Sequence, residues 1–184
     1  RALSAMGHFT YMSIPEFVGH SSGVATTCLA AAQVLSFDSA ETLTVHRAAL
    51  VHDLGRAAVP VRIWSKRKSL TLDDWEQIRL HAYHTERILA QSPFLSDLVP
   101  VAGFHHERVD GTGYHRGVGS SSMERPARVL AAADAYHAMT EPRPHRPALS
   151  RGAAAEVLAG EAKAGRLDPE AVAAVLEGSG HSAA

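Results

Sequence analysis

Val129-Leu130-Ala131-Ala132-Ala133-Asp134-Ala135 is the most apolar run of the chain, and it carries a single carboxylate. Alanine and leucine favour helix, and nothing in the run alternates with a period of two. The reading is a buried helix, started by Pro126 and continuing through Met139. A carboxylate left unpaired inside such a helix would cost several kcal/mol. Asp134 therefore points outward, is protonated or hydrogen-bonded, or meets a cation.

The same reading extends in both directions. Pro15 falls in the first turn of a helix predicted over residues 15–35, and Asp38 or Ser39 caps a second that runs to Leu54. Thr71 and Asp74 have the spacing of a capping box and open a helix to Leu89. Along it Trp75, Ile78, Ala82, Thr85 and Leu89 form a stripe directed at the core. Pro93 begins another helix that ends near His105-His106. Two last helices cover about 150–164 and 169–177, the second capped by Asp168-Pro169 and stopped by Gly178. Residues 55–69, with the basic run Lys66-Arg67-Lys68, connect the second and third helices. Four glycines and three consecutive serines make 108–124 the longest loop, and loops of that length usually serve a function. The expectation is an all-α bundle of about seven helices, one domain over 1–184, with a frayed tail from His181. Because the chain begins at Arg1, it reads as a piece of a longer protein.

Composition narrows the function. A formal charge of −1 gives no reason to expect a nucleic-acid or anionic-membrane surface. No apolar run approaches the ~20 residues that span a bilayer. The lone Cys28 excludes an internal disulfide and a thiolate-rich metal site, and suits a reducing cytoplasm.

Histidine is in excess, twelve in 184 residues, and the distribution is ordered. His20, His52-Asp53, His81 and His105-His106 recur at intervals of a helix or two before Asp134. Imidazole supplies a neutral nitrogen ligand, and a carboxylate supplies charge and can bridge two cations. His52-Asp53 ends the apolar stretch Ala48–Val51, so it is either a plain helix terminus or a metal-binding pair. Successive helical residues point about 100° apart, and the pair could grip one ion or divide between two. His105-His106 likewise follows the apolar run Leu98–Phe104. Glu16 and His20, four apart on the first predicted helix, would share a face, with Glu16 a further ligand, a support for His20, or solvated. His46, His84, His137 and His145 read as surface or supporting residues.

The order His20…His52-Asp53…Asp134 resembles the HD superfamily of metal-dependent phosphohydrolases. His81, His105-His106-Glu107 and Asp110-Gly111-Thr112-Gly113-Tyr114 are similar to its HD-GYP branch. So are Ala127-Arg128-Val129, Ala133-Asp134-Ala135-Tyr136, Arg143-Pro144-His145-Arg146 and Leu167-Asp168-Pro169, and the likeness runs from Glu16 to about Leu176. The resemblance implies a helical domain around two or three divalent metal ions, iron or manganese. It also implies hydrolysis of a cyclic dinucleotide such as cyclic di-GMP by a metal-activated water. On its terms His20, His52, Asp53 and Asp134 hold a first ion. Asp53 bridges to a second held by His81, His105 and His106, and Glu16 stands where some members help to bind a third. Asp53 and Arg56 are the expected catalytic residues, and Arg143 and Arg146 would clamp phosphate from outside. The 110–117 loop would shape the pocket or meet a partner domain, and a regulatory or DNA-binding domain is often fused to such domains.

Three departures matter. Gly113-Tyr114-His115 replaces Gly-Tyr-Pro, exchanging a fixed φ for a side chain able to make a polar contact. Arg56 stands where the branch has lysine, and it stays protonated, so it cannot donate a proton of tuned pKa. Ala82 follows His81 in place of proline. Two other readings remain beside the leading one. The chain could be an HD phosphohydrolase for another nucleotide or phosphoester, or a weakly catalytic sensor module that binds metal and nucleotide.

Overall fold

Small side chains on facing helices set the spacing of the bundle. The structure, a computed structural model, describes residues 1–143 and 146–181. In chain order the helices are α1 (Ala2–Thr10), α2 (His20–Val34), α3 (Ser39–Val51), α4 (Val61–Trp64), α5 (Leu72–Leu89), α6 (Val99–Ala102), α7 (Arg125–Thr140), α8 (Arg151–Lys163) and α9 (Pro169–Gly178). Helix α2 packs against α3, α7 and α9, burying Val24, Ala25, Cys28, Ala31 and Ala32. Helix α3 adds Val45, Ala48, Ala49 and Val51, and α7 adds an almost unbroken buried run from Val129 to Asp134. Helix α1 lies against α2 and α3, α5 against the 3-10 turn Leu54–Ala58, and α8 covers α7 and α9. A second, smaller core of Tyr11, Ile14, Phe17, Val59, Ile63, Trp64 and Ile78 sits apart from the main one.

The all-α expectation holds: among the described residues, pairing between extended segments is limited to the bridges Asp110–Gly119 and Arg143–Arg146. Asp38, rather than Ser39, caps α3, in a capping box with Glu41. The Thr71–Asp74 box and the Asp168 cap form as expected. No described helix is long and apolar enough to cross a membrane.

Several element boundaries differ. The helix predicted over 15–35 is a 3-10 turn, Pro15–Phe17, followed by α2; Gly19 at φ +92° breaks the path between them. Helix α1 was not anticipated. The helix predicted from Pro93 is a short 3-10 turn at Ser96–Leu98 continuing into α6, and the 55–69 connection contains the Leu54–Ala58 turn and α4. Trp75 leaves the predicted core stripe: it is 45% exposed, at the rim of the pocket described below. His181 docks on Tyr136, its ring 2.8 Å from the phenol oxygen. Pro144 and His145, and residues 182–184 of the tail expected to fray, lie outside the described residues.

Candidate metal centre

Helix ends bring the ligand-type side chains together. His20 opens α2, His52-Asp53 follow α3, His105-His106 follow α6, and His81 and Asp134 face inward from the middle of α5 and α7. His20, His52, Asp53, His81, His105 and Asp134 are all buried, and His106 is nearly so. The sequence-predicted set therefore converges, with the exception of Glu16. Its side chain is exposed on the 3-10 turn, off the axis of α2, and its carbonyl accepts from Arg143 Nη1 at 3.5 Å.

The imidazoles are fixed by one recurring device. His52 Nδ1 donates to Ala49 O at 2.7 Å, His105 Nδ1 to Ala102 O at 2.7 Å, and His81 Nδ1 to Ile78 O. A carbonyl only accepts, so each Nδ1 carries the proton and each Nε2 turns a lone pair inward. The Nε2 atoms of His81 and His105 then face each other at 3.1 Å, 3.3 and 3.6 Å from Asp53 Oδ1. On the other side, His20 Nε2 lies 3.0 Å from Asp134 Oδ1 and His52 Nε2 lies 3.4 Å from Asp53 Oδ2. Ligand atoms bound at about 2.1 Å to a shared ion stand about 3.0–3.4 Å apart. His52 Nε2 and Asp53 Oδ1 are buried with no hydrogen-bond partner. Facing lone pairs and orphaned polar atoms in a buried site fit divalent cations.

Electrostatics divides the centre in two. Burial opposes ionisation of Asp53, but Arg56 and His52 hold it well below the ordinary carboxylate range. His20 and His52 do the same for Asp134 against its own burial. Burial would lower His52, yet the two carboxylates raise it to about 10, so the proton they favour on Nε2 is one that a cation would displace. His105 moves the other way, to about 4, because burial outweighs the attraction of Asp53. Burial and the neighbouring His105 also depress His106. One half concentrates negative charge, and the other presents neutral nitrogen donors.

A cavity of about 250 Å³ opens beside the centre, lined by His81, His106, Arg56, Arg143, Arg146 and the rings of Phe17, Trp64, Trp75 and Tyr114. The Arg56 guanidinium lies between Phe17 and Trp64, 4.4 and 4.7 Å from the ring centres, with Nε 2.6 Å from Asp53 Oδ2. Arg143 covers Phe17 at 3.9 Å. Arg146 is engaged otherwise than expected. It caps the end of α7, donating to Ala138 O at 2.6 Å and to three further carbonyls at 3.3–3.5 Å, which draws its donors toward backbone.

Four residues support the centre in ways the sequence did not indicate. Tyr11, just past the end of the unanticipated α1, donates to Asp53 Oδ2 at 2.8 Å. Thr85 links Gly55 N and His52 O, tying α5 to the His-Asp turn. Glu107, fully buried, accepts from Arg116 N at 2.7 Å and Val118 N at 3.0 Å and so orders the long loop. That loop stacks Tyr114 on His106 at 4.6 Å, and His115 makes its polar contact with Glu86 at 3.4 Å. Glu141 contacts His20 at 2.7 Å. Only Glu107 had a signal, its place directly after the histidine doublet.

Comparison with known proteins agrees with this geometry. Residues 9–171 match the family described as the HD domain. A 3'3'-cGAMP-specific phosphodiesterase of Vibrio cholerae is 35% identical over 174 residues, 94% of this chain and 37% of the relative. A cyclic di-GMP phosphodiesterase of Pseudomonas aeruginosa is 32% identical over 180 residues, 97% of this chain and 41% of the relative. The chain thus spans about two fifths of the length of these relatives. A solved HDG"Y"P protein from Bdellovibrio bacteriovorus superposes with a TM-score of 0.71 at 20% identity, over 86% of this chain and 50% of the other, a likeness of fold. With the matched segment covering most of its length, the chain belongs to the HD-domain family.

Proposed function

We propose that this domain is a metal-dependent phosphodiesterase that opens a cyclic dinucleotide at a phosphodiester bond. HD domains bind divalent metal ions, and this chain gathers the necessary His/Asp clusters. The observation that carries the reading is the set of inward Nε2 lone pairs closing on two buried carboxylates beside an arginine-bearing cavity.

His20, His52, Asp53 and Asp134 would hold one ion, and His81, His105 and His106 would hold a second that shares Asp53. Nitrogen and oxygen donors without thiolate suit iron or manganese. Bound there, two such ions supply a water deprotonated near neutral pH and neutralise charge on the phosphate. Arg143 and Arg56 would bind phosphate oxygens, and Arg56, permanently protonated, contributes charge and no proton. Trp64, Trp75 and Tyr114 offer flat apolar faces on which a base would stack, at about 1–3 kcal/mol per base. The relatives named for 3'3'-cGAMP and cyclic di-GMP support this substrate class. A cytoplasmic location belongs to the same reading and suits the free, buried Cys28.

The test is incubation of metal-replete chain with cyclic di-GMP, 3'3'-cGAMP and a generic phosphoester. Conversion of a cyclic dinucleotide to its linear form supports the reading, and cleavage of the generic ester alone contradicts the substrate class. A binding-only sensor is the second reading, favoured by the confinement of Arg56 between two rings and against Asp53. Tight dinucleotide binding without any product would select it.

A further inference from the structure

Glu141 stands just past the end of α7, seven residues after Asp134, and so two turns along the same face. Its two oxygens meet three groups. Oε2 lies 2.7 Å from His20 Nδ1 and 2.8 Å from Arg143 Nη2, and Oε1 lies 3.2 Å from His137 Nε2. The side chain is 17% exposed, and the close approach of α2 and α7 holds the group in place. At that approach Gly23 leaves room for the His137 ring, which a β-carbon there would meet at 2.1 Å and displace.

His20, His137 and Glu141 could be read as a further cation site, since their ligand-type atoms lie within 4.8 Å of one another. The orientation of His20 argues otherwise. A neutral imidazole has one lone pair, and Nε2 of His20 is the nitrogen turned to Asp134 and the centre. With Nε2 given to an ion, Nδ1 would carry the proton and donate to Glu141. A carboxylate on the far nitrogen of a ligand histidine fixes its tautomer and ring orientation and raises its basicity. The oxygen that faces His20 also holds Arg143, whose guanidinium lies over Phe17 at the wall of the cavity. One side chain therefore aligns a ligand of the first ion and the cation that faces substrate.

We propose that Glu141 is a positioning residue that sets His20 for the first metal ion and Arg143 for the substrate phosphate, with His137 holding Glu141 in turn. This rests on the metal-centre reading above. Its test is calorimetric titration of the metal-free chain with Mn²⁺, which reads the two ion sites separately, supported by circular dichroism and thermal melting of each variant without metal. Glu141→Gln should weaken the first ion roughly 10–100-fold and leave the second, at His81, His105 and His106, within about threefold. Glu141→Asp should recover part of the loss. Gly23→Ala, which displaces the His137 ring without touching Glu141, should weaken the same ion by a smaller factor. If Glu141→Gln fails to fold, the aspartate and Gly23 variants carry the test alone. Wild-type affinity at both sites in the folded variants overturns the proposal. Loss of one whole extra ion on His137→Ala, with the other two unaffected, also overturns it, because the cluster would then itself be a metal site. A wild-type chain that binds no Mn²⁺ overturns both this proposal and the metal-centre reading, whereas absence of dinucleotide hydrolysis touches only the substrate.

Discussion

Replacing Gly55 by alanine adds one methyl group at the joint on which the centre depends. Gly55 follows the His52-Asp53 pair by two residues and rests on α5, the helix that presents His81. A β-carbon there would lie 1.9 Å from His81 O and 2.5 Å from Thr85 N, both backbone atoms. Ordinary contact begins near 3.4 Å, so the turn and α5 must separate by about 1.5 Å. Overpacking of this kind costs about 1–3 kcal/mol, and parting Gly55 N from Thr85 Oγ1, now 2.9 Å away, adds about 1 kcal/mol. The same displacement carries His81 Nε2 away from Asp53 Oδ1, now 3.3 Å distant, beyond the spacing of two ligands on a shared ion. Urea unfolding should register the stability loss, and Mn²⁺ titration should show the second ion lost while the first persists. Thr85→Val is the control, since it removes both hydrogen bonds of the hydroxyl, to Gly55 N and His52 O, without adding bulk and should cost about 2–4 kcal/mol with both ions retained. A Gly55→Ala chain with wild-type urea midpoint and full ion binding would refute the reasoning.

The remaining expectations concern the supports. Glu107→Ala removes the buried acceptor of two N–H groups of the 108–124 loop; it should lower stability by about 2–4 kcal/mol, and hydrogen exchange at Arg116 and Val118 should rise sharply. Asp74 is held at about 2, chiefly by Lys66 and then by the Thr71 cap. A depressed carboxyl stabilises the fold above its unfolded value near 3.9 and loses that contribution as pH falls through about 2. The urea midpoint of the metal-free chain should therefore fall more between pH 5 and 2 than that of Asp74→Asn, and parallel curves would contradict the link.

Much of the site could be read before the structure because it depends on local sequence. Ligand-type residues sit at the ends of apolar helices, as at His52-Asp53 and His105-His106, and Asp134 betrays itself by its apolar company. What stayed hidden depends on distant approaches. Tyr11 reaches Asp53 from just past a helix with no distinctive cap, and Glu141 reaches His20 from 121 residues away. Glu16 was misplaced for a local reason: the helix was extended through Gly19, whose left-handed backbone ends the shared face. Arg146 carries the charge expected of a phosphate clamp, but the end of α7 leaves carbonyls that take its donors first. Trp75 followed a helical period into the core, whereas the second core is too small to cover it and leaves it at the cavity mouth.

Asp53 is shared by both halves of the centre, with Oδ1 toward His81 and His105 and Oδ2 toward His20 and His52. Counting bound metal in wild type and Asp53→Ala, alongside their rates on cyclic di-GMP and 3'3'-cGAMP, therefore probes binding and chemistry together. The wild type should carry at least two divalent ions per chain and yield linear dinucleotide, and Asp53→Ala should lose both ion binding and product while remaining folded. A fully metal-loaded wild type that forms no product, or product that survives Asp53→Ala, would contradict a phosphodiesterase built on this centre.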